Sequence, residues 1–322
     1  MKELQMLNGA KKLVDICTKV KKNEIVLIVT DTEKVAIAEA IASVAKERAA
    51  EVLISVMEPR KKAGEEPPAP IAAAMKKADV IFVPVSYSVT HTYAVKDAAA
   101  NGARIIVMTD FTEEMMIKGG LTADFTKLKP LCLGVADSFT KGSKIHLTSA
   151  GGTDLEIDIS GRKGNALYCM VEPGEFSTVP TVEANVSPVE YCASGKIVCD
   201  ASIPYLGIGL IKEPVTCFVE NGFIKKIEGG KEAETLSENL KKQNDKNVYN
   251  IAEIGVGLNP ECCMCGIMLE DEGVTSTCHI GIGTSITLGG NIKAPIHYDL
   301  LMWEPKVEVD GKVIINKSEV IL

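Results

Sequence analysis

The stretch Glu24–Met57, "EIVLIVTDTEKVAIAEAIASVAKERAAEVLISVM", decides the fold class. "EIVLIVT" is a continuous apolar run, the pattern of a parallel strand buried on both faces. "EKVAIAEAIASVAKERA" combines helical periodicity with strong helix formers. "EVLISVM" reads as a second strand, so the stretch is a βαβ unit. Moving outward, "EPRKKAGEEPPAP" is a proline-rich loop and "IAAAMKKA" a helix. "DVIFVPV" is a third strand, "THTYAVKDAAANG" a helix closed by Gly102, and "ARIIVMT" a fourth strand. This order predicts a Rossmann-like parallel sheet over residues 1–135. "VTDTEKV" carries neither G-x-G-x-x-G nor a Walker pattern. A dinucleotide needs those glycines for close backbone approach, so the sheet does not imply one.

The helical signal fades after about Val135. "KIHLTSAGGTDLEIDISGRKG" reads as a hairpin of two alternating runs. "IVCDAS", "VTCFVENGFIKKIEGG" and "KVEVDGKVII" add short strands, the last two with "NG" and "DG" turns, and "KEAETLSENLKKQND" is a polar-faced helix. The expected fold is α/β: an N-terminal Rossmann-like domain, 1–135, followed by a β-rich α+β domain, 136–322.

The 322 residues suit two domains, since single cores stop growing near ~250–300 residues. A formal charge of −8 argues against a nucleic-acid partner. No apolar stretch approaches the ~20 residues of a membrane span, and the first residues lack a signal h-region. A cytoplasmic location is the expectation. Ten cysteines in so long a chain read as reduced thiols. "NPECCMCGIM", with Cys262, Cys263 and Cys265, lacks zinc-knuckle spacing.

Candidate chemistry begins at "APIHYDLLM". His297 and Asp299 share one face of a strand, and a buried carboxylate needs a partner or a metal. Three further residues sit in unfavourable surroundings: His279 in "STCHIGIGTS", Glu253 in "VYNIAEIGVGLNP" and Glu175 in "VEPGEFSTVP". Two imidazoles and three carboxylates suit a divalent ion such as zinc, cobalt, manganese or ferrous iron. Each has a plainer reading: Glu175 as solvated surface, Glu253 paired with a lysine, His279 satisfied by backbone, His297 bonded to Asp299. His91 follows the third strand, at the end of the sheet where open α/β folds place their sites. Its plainer reading is a solvated residue at a helix start.

"GEFSTVPTVEANVSPVE", "IAEIGVGLNP", "GVTSTCHIGIGTS" and "GGNIKAPIHYDLLM" together resemble the motifs of the aminopeptidase T metallopeptidases, in order and approximate spacing. The resemblance implies that Glu175, Glu253, His279, His297 and Asp299 are metal ligands, with Glu175 or Glu253 managing protons. It also implies a homo-oligomer. One position departs: Ile286 stands where that family has a tyrosine. The C-terminal motif is also similar to the bacterial 2,5-dihydroxypyridine 5,6-dioxygenases, which hold a single ferrous ion. There His91 would be an acid/base group, and a histidine takes the place of Glu253. The leading expectation is a metal-dependent hydrolase using zinc, cobalt or manganese on a peptide-like or cyclic small molecule in an interdomain cleft, with Glu175, Glu253 and His91 catalytic. The alternative is a non-haem Fe(II) ring-cleaving dioxygenase acting on a hydroxylated N-heterocycle.

Overall fold

The computed structural model describes residues 1–90 and 92–322, so His91 lies outside the described residues. The chain divides into two units. Unit 1 is Met1–Phe125 with Tyr168–Pro180, and unit 2 is Thr126–Leu167 with Thr181–Leu322. In chain order the first elements are α1 (Lys2–Lys11), β1 (Ile25–Asp31), α2 (Val35–Ala45), β2 (Glu51–Met57) and α3 (Ala69–Met75). They are followed by β3 (Val80–Val85), α4 (Tyr93–Ala100), β4 (Arg104–Thr109) and α5 (Phe125–Lys141). The strands β5 (Lys144–Ser149), β6 (Asp154–Asp158), β7 (Asn165–Leu167), β8 (Phe176–Thr178), β9 (Glu183–Val186) and β10 (Ala193–Cys199) come next. After β11 (Ser202–Ile203), β12 (Gly209–Leu210), β13 (Val215–Glu220) and β14 (Phe223–Glu228) lies α6 (Lys231–Lys242). The last elements are β15 (Ile251–Gly257), α7 (Met268–Asp271), β16 (Thr277–Gly283), β17 (His297–Trp303), β18 (Pro305–Val309), β19 (Lys312–Asn316) and β20 (Glu319–Val320).

The apolar runs read from the sequence form the sheet of unit 1, ordered β2-β1-β3-β4-β8 and parallel throughout. Leu27, Val29, Ile81, Val83, Ile105 and Val107 sit in its core beneath Val95 and Ala98 of α4. Thr92 caps α4 by accepting from the Val95 N–H at 3.4 Å. β2 is the edge strand, which is why Leu53, Ile54 and Val56 of an apolar run stay exposed. α5 continues past Val135 to Lys141, with Pro130 inside it.

Unit 2 is strand-rich, and the α/β reading holds for the whole chain. One sheet has the order β14-β13-β10-β6-β5-β18-β19-β20. Its "NG" and "DG" turns place Asn221 and Gly222 at φ 50° and 73°, and Asp310 and Gly311 at 50° and 80°. Both pairs have the double positive φ of a type I′ hairpin. The second sheet has the order β17-β16-β15-β9-β7, and its pairs are antiparallel. β15 and β16 are buried at every residue. Polar side chains on these two strands therefore have no direct access to bulk water.

Candidate metal centre

Period-two alternation puts Glu183 and Asn185 of β9, Glu253 and Gly255 of β15, His279 and Gly281 of β16, and His297 and Asp299 of β17 on common strand faces. The register then sets large against small. Glu183 faces Gly257, Asn185 faces Gly255, and His279 also faces Gly255. Glu253 and Asp299 both face Gly281, and His297 faces Gly283. Each long polar side chain thus lies over a glycine on the neighbouring strand. A Cβ at Gly255 would collide with Nε2 and Cε1 of the buried His279 ring, so glycine is required there.

The side chains meet in that space. His297 Nε2 is 3.0 Å from Glu253 Oε2 and 3.4 Å from Asp299 Oδ1. His279 Nε2 is 3.5 Å from Glu183 Oε2 and 3.8 Å from Glu253 Oε1. Donor atoms of Glu183, Glu253 and His279 lie within 4.8 Å of one another, as do those of Glu253, His297 and Asp299. Glu253 belongs to both triads and sends one oxygen towards each histidine. His297 Nδ1 is 2.9 Å from the Thr284 carbonyl, which can only accept. Nδ1 therefore carries the hydrogen there and Nε2 is the atom turned to the carboxylates.

Charge dominates this cluster. Glu183, Glu253, His279 and Asp299 are all at most 5 % exposed. Burial disfavours the imidazolium of His279, but Glu183, Glu253 and Asp299 outweigh it and hold the ring up to about 9. His297 is raised against burial in the same way by Asp299 and Glu253. Glu253 and Asp299 are buried as well, yet the two histidines keep both below the usual carboxylate range. Glu183 goes the other way, pushed by burial up to about 7. Glu272, beside Asp299, is raised well above its ordinary value by burial and by the Asp299 and Glu183 carboxylates.

Three carboxyl groups thus meet two imidazoles, with Glu272 beside Asp299. Glu183 Oε2, His279 Nδ1 and Asp299 Oδ1 are buried atoms without a hydrogen-bond partner among the described residues. Polar atoms left this way are costly in a protein interior. An excess of buried oxygen donors with two imidazole nitrogens is a donor set for a divalent cation, and metal binding in the two triads would satisfy Oδ1 and Oε2.

The structure brings together Glu253, His279, His297 and Asp299. Glu175 is not part of this cluster. It is exposed on the turn before β8 in unit 1, its carboxylate accepting from the Glu172 N–H at 3.0 Å. The carboxylate on β9 is Glu183, eight residues further on in the same quoted segment. Its signal was available: in "TVEANV" an acid alternates with Val182, Ala184 and Val186, as Glu253 does in its own strand. Ile286 is 49 % exposed in a short helical turn after β16, and an isoleucine offers no donor. A phenol nevertheless reaches the cluster from elsewhere: Tyr205 Oη donates to Asp299 Oδ2 at 2.8 Å.

A parallel-sheet unit followed by a strand-rich unit that carries such a buried cluster is the frame of an enzyme. The chain belongs to the NicX family, 2,5-dihydroxypyridine 5,6-dioxygenase, whose model matches residues 5–322. A 2,5-dihydroxypyridine 5,6-dioxygenase of Pseudomonas putida is 28 % identical over 190 residues, covering 55 % of this chain and 54 % of that protein. The match therefore spans about half the length of the curated relative. The solved structure of 2,5-dihydroxypyridine dioxygenase from Pseudomonas putida KT2440 superposes with a TM-score of 0.82 at 20 % identity, over 99 % of this chain and 97 % of that one. Wild-type AmpT from Thermus thermophilus superposes with a TM-score of 0.71 at 14 % identity, over all of both chains. Both resemblances read from the motifs therefore hold, that to the aminopeptidases at the level of fold alone.

These matches overturn the expectation of a hydrolase. The family model and the curated relative are both named for ring dioxygenation, and the likeness to AmpT carries the fold alone. The physical reason for the error is that metal ligands are chosen by charge and hardness. The same donor types serve hydrolysis and oxygen chemistry, so a ligand motif does not fix the reaction. Among the described residues, no helix is long and apolar enough to cross a membrane.

Proposed function

We propose that the chain is a non-haem Fe(II) dioxygenase that opens the ring of a small hydroxylated N-heterocycle. The family match over residues 5–322 carries this reading, and the oxygen-rich donor set supports it. The two triads that share Glu253, with His297 and Asp299 on one side and His279 and Glu183 on the other, would supply the metal ligands. A ferrous ion bound there supplies the one-electron chemistry that lets dioxygen react with a closed-shell ring. Both oxygen atoms enter the product as one ring bond breaks.

The protein's part is positional and electrostatic. The Thr284 carbonyl fixes the His297 ring, so Nε2 is presented without rotation. The buried carboxylates lower the electrostatic cost of a bound cation. In the metal-free chain Glu183, pushed up to about 7, is the carboxyl that holds a proton near neutral pH and would give it up to a cation at its Oε2. His91, outside the described residues, keeps its proposed acid/base role from the sequence resemblance alone.

The test uses protein purified without oxygen and reconstituted with Fe²⁺. Oxygen uptake should appear with dihydroxypyridines, at one O₂ per ring opened, and vanish on chelation. A protein that carries stoichiometric Fe²⁺ and consumes no oxygen with any hydroxypyridine overturns the assignment.

A further inference from the structure

Two carboxylates of the centre share one arrangement. Asp299 Oδ2 accepts from Tyr205 Oη at 2.8 Å, while Asp299 Oδ1 has no hydrogen-bond partner among the described residues and lies 3.4 Å from His297 Nε2. Glu183 Oε1 accepts from Asn185 Nδ2 at 2.8 Å, while Glu183 Oε2 has no hydrogen-bond partner among the described residues and lies 3.5 Å from His279 Nε2. In each case a neutral donor occupies one oxygen and the free oxygen faces an imidazole.

We propose that Tyr205 and Asn185 are positioning residues of the metal centre, each selecting which oxygen of its carboxylate becomes the ligand atom. This rests on the metal reading given under Proposed function. A phenol and an amide suit the task because they bring no charge. A lysine or arginine at either place would neutralise the carboxylate and weaken its hold on a cation. With one oxygen engaged, the carboxylate presents its other oxygen to the centre.

Both donors are themselves held. The Tyr205 ring packs against Tyr298 with centroids 5.0 Å apart, and its hydroxyl lies 3.4 Å from Glu272 Oε1. Asn185 Oδ1 accepts from Asn165 Nδ2 at 2.9 Å. That bond fixes the amide so that its NH₂ group points to Glu183. Tyr205 stands on the connection between β11 and β12, remote in sequence from every ligand candidate. None of the motifs that identify the centre contains it.

The experiment is a Co²⁺ titration of the full chain, following the visible spectrum, with Tyr205→Phe and Asn185→Leu beside the wild type. Each variant should bind Co²⁺ roughly 10- to 100-fold more weakly, the usual cost of removing a hydrogen bond to a metal ligand. The spectrum of the bound ion should also change, because the released carboxylate alters the coordination; a role in stability alone would leave it untouched. Tyr298→Phe, whose hydroxyl donates to Asn239 at 3.2 Å, should keep wild-type affinity. Thermal melting of the metal-free chains verifies folding, and if Tyr205→Phe does not fold, Asn185→Leu decides. Wild-type affinity and spectrum in a folded variant overturn the inference while leaving the metal reading intact. A wild-type chain that takes up neither Co²⁺ nor Fe²⁺ overturns the metal reading itself.

Discussion

Gly281→Ala tests the centre without touching a candidate ligand. Gly281 lies on β16 opposite both Glu253 and Asp299 and is absent from the positive-φ glycines, so alanine meets no backbone strain there. In an ordinary strand this change would stabilise slightly, by about 0.4–1 kcal/mol. Here an added Cβ would lie 2.8 Å from Glu253 Cβ and 2.8 Å from both Cε1 and Nε2 of His297. Ordinary contact starts at 3.4 Å, so these groups must yield by the difference between 3.4 and 2.8 Å, or 0.6 Å. Glu253 Cβ is fixed to a buried strand, whereas the His297 side chain is 26 % exposed and can move. The imidazole should therefore take most of the shift. Ligand distances in metal sites are held to about 0.2 Å, so such a displacement takes Nε2 out of position. The expected result is a loss of metal affinity of at least tenfold, roughly 1.4 kcal/mol, together with an overpacking cost of about 1–3 kcal/mol in stability. Co²⁺ titration and elemental analysis read the first, and thermal melting reads the second. Gly9→Ala is the comparison: its Cβ would collide with the Met116 carbonyl in unit 1. It should lower the melting temperature with metal binding preserved. A Gly281→Ala chain that melts lower yet binds metal as the wild type does would refute the claim that Glu253 and His297 hold the ion.

Further expectations concern charge, protons and the loop of cysteines. Glu253→Gln removes the carboxylate shared by both triads, and metal content of the purified protein should fall to background, whereas Glu175→Ala should leave it unchanged. Metal binding should release protons: in the metal-free chain His279 is held up to about 9, so at pH 8 it is mostly protonated and must lose that proton to bind through nitrogen. Affinity should accordingly rise with pH between about 7 and 9, by up to about tenfold per unit for each proton displaced, and calorimetry in buffers of different ionisation enthalpy counts them. Asp271, fully buried, accepts from Ser202 Oγ at 2.6 Å and from the N–H groups of Cys265 and Gly266 at 2.7 and 2.9 Å. Asp271→Ala strands these donors at about 1–3 kcal/mol each where they stay buried, and should speed alkylation of Cys263 and Cys265, followed by mass spectrometry.

The sequence by itself determined the parallel sheet, because strands buried on both faces must be continuously apolar, and Val26–Val29, Val80–Val83 and Ile105–Val107 are. It also determined the hairpins, because their turns need two residues at positive φ and "NG" and "DG" supply them. Four candidates for the centre were legible for a related reason: a lone acid or histidine in an apolar strand cannot stay buried without a partner. What tertiary structure decided was which distant residues supply those partners. Glu175 and Glu183 both precede strand-like runs, but only Glu183 lies on β9, in register with the glycines of β15. Tyr205 could not be read from local pattern at all, whereas Asn185 lies two residues from Glu183 on the same strand. A hydrogen bond to one oxygen of a carboxylate depends on strand register and on a loop folding back across nearly a hundred residues of chain. Neither leaves a period in the sequence, since register is set by the packing of the whole sheet.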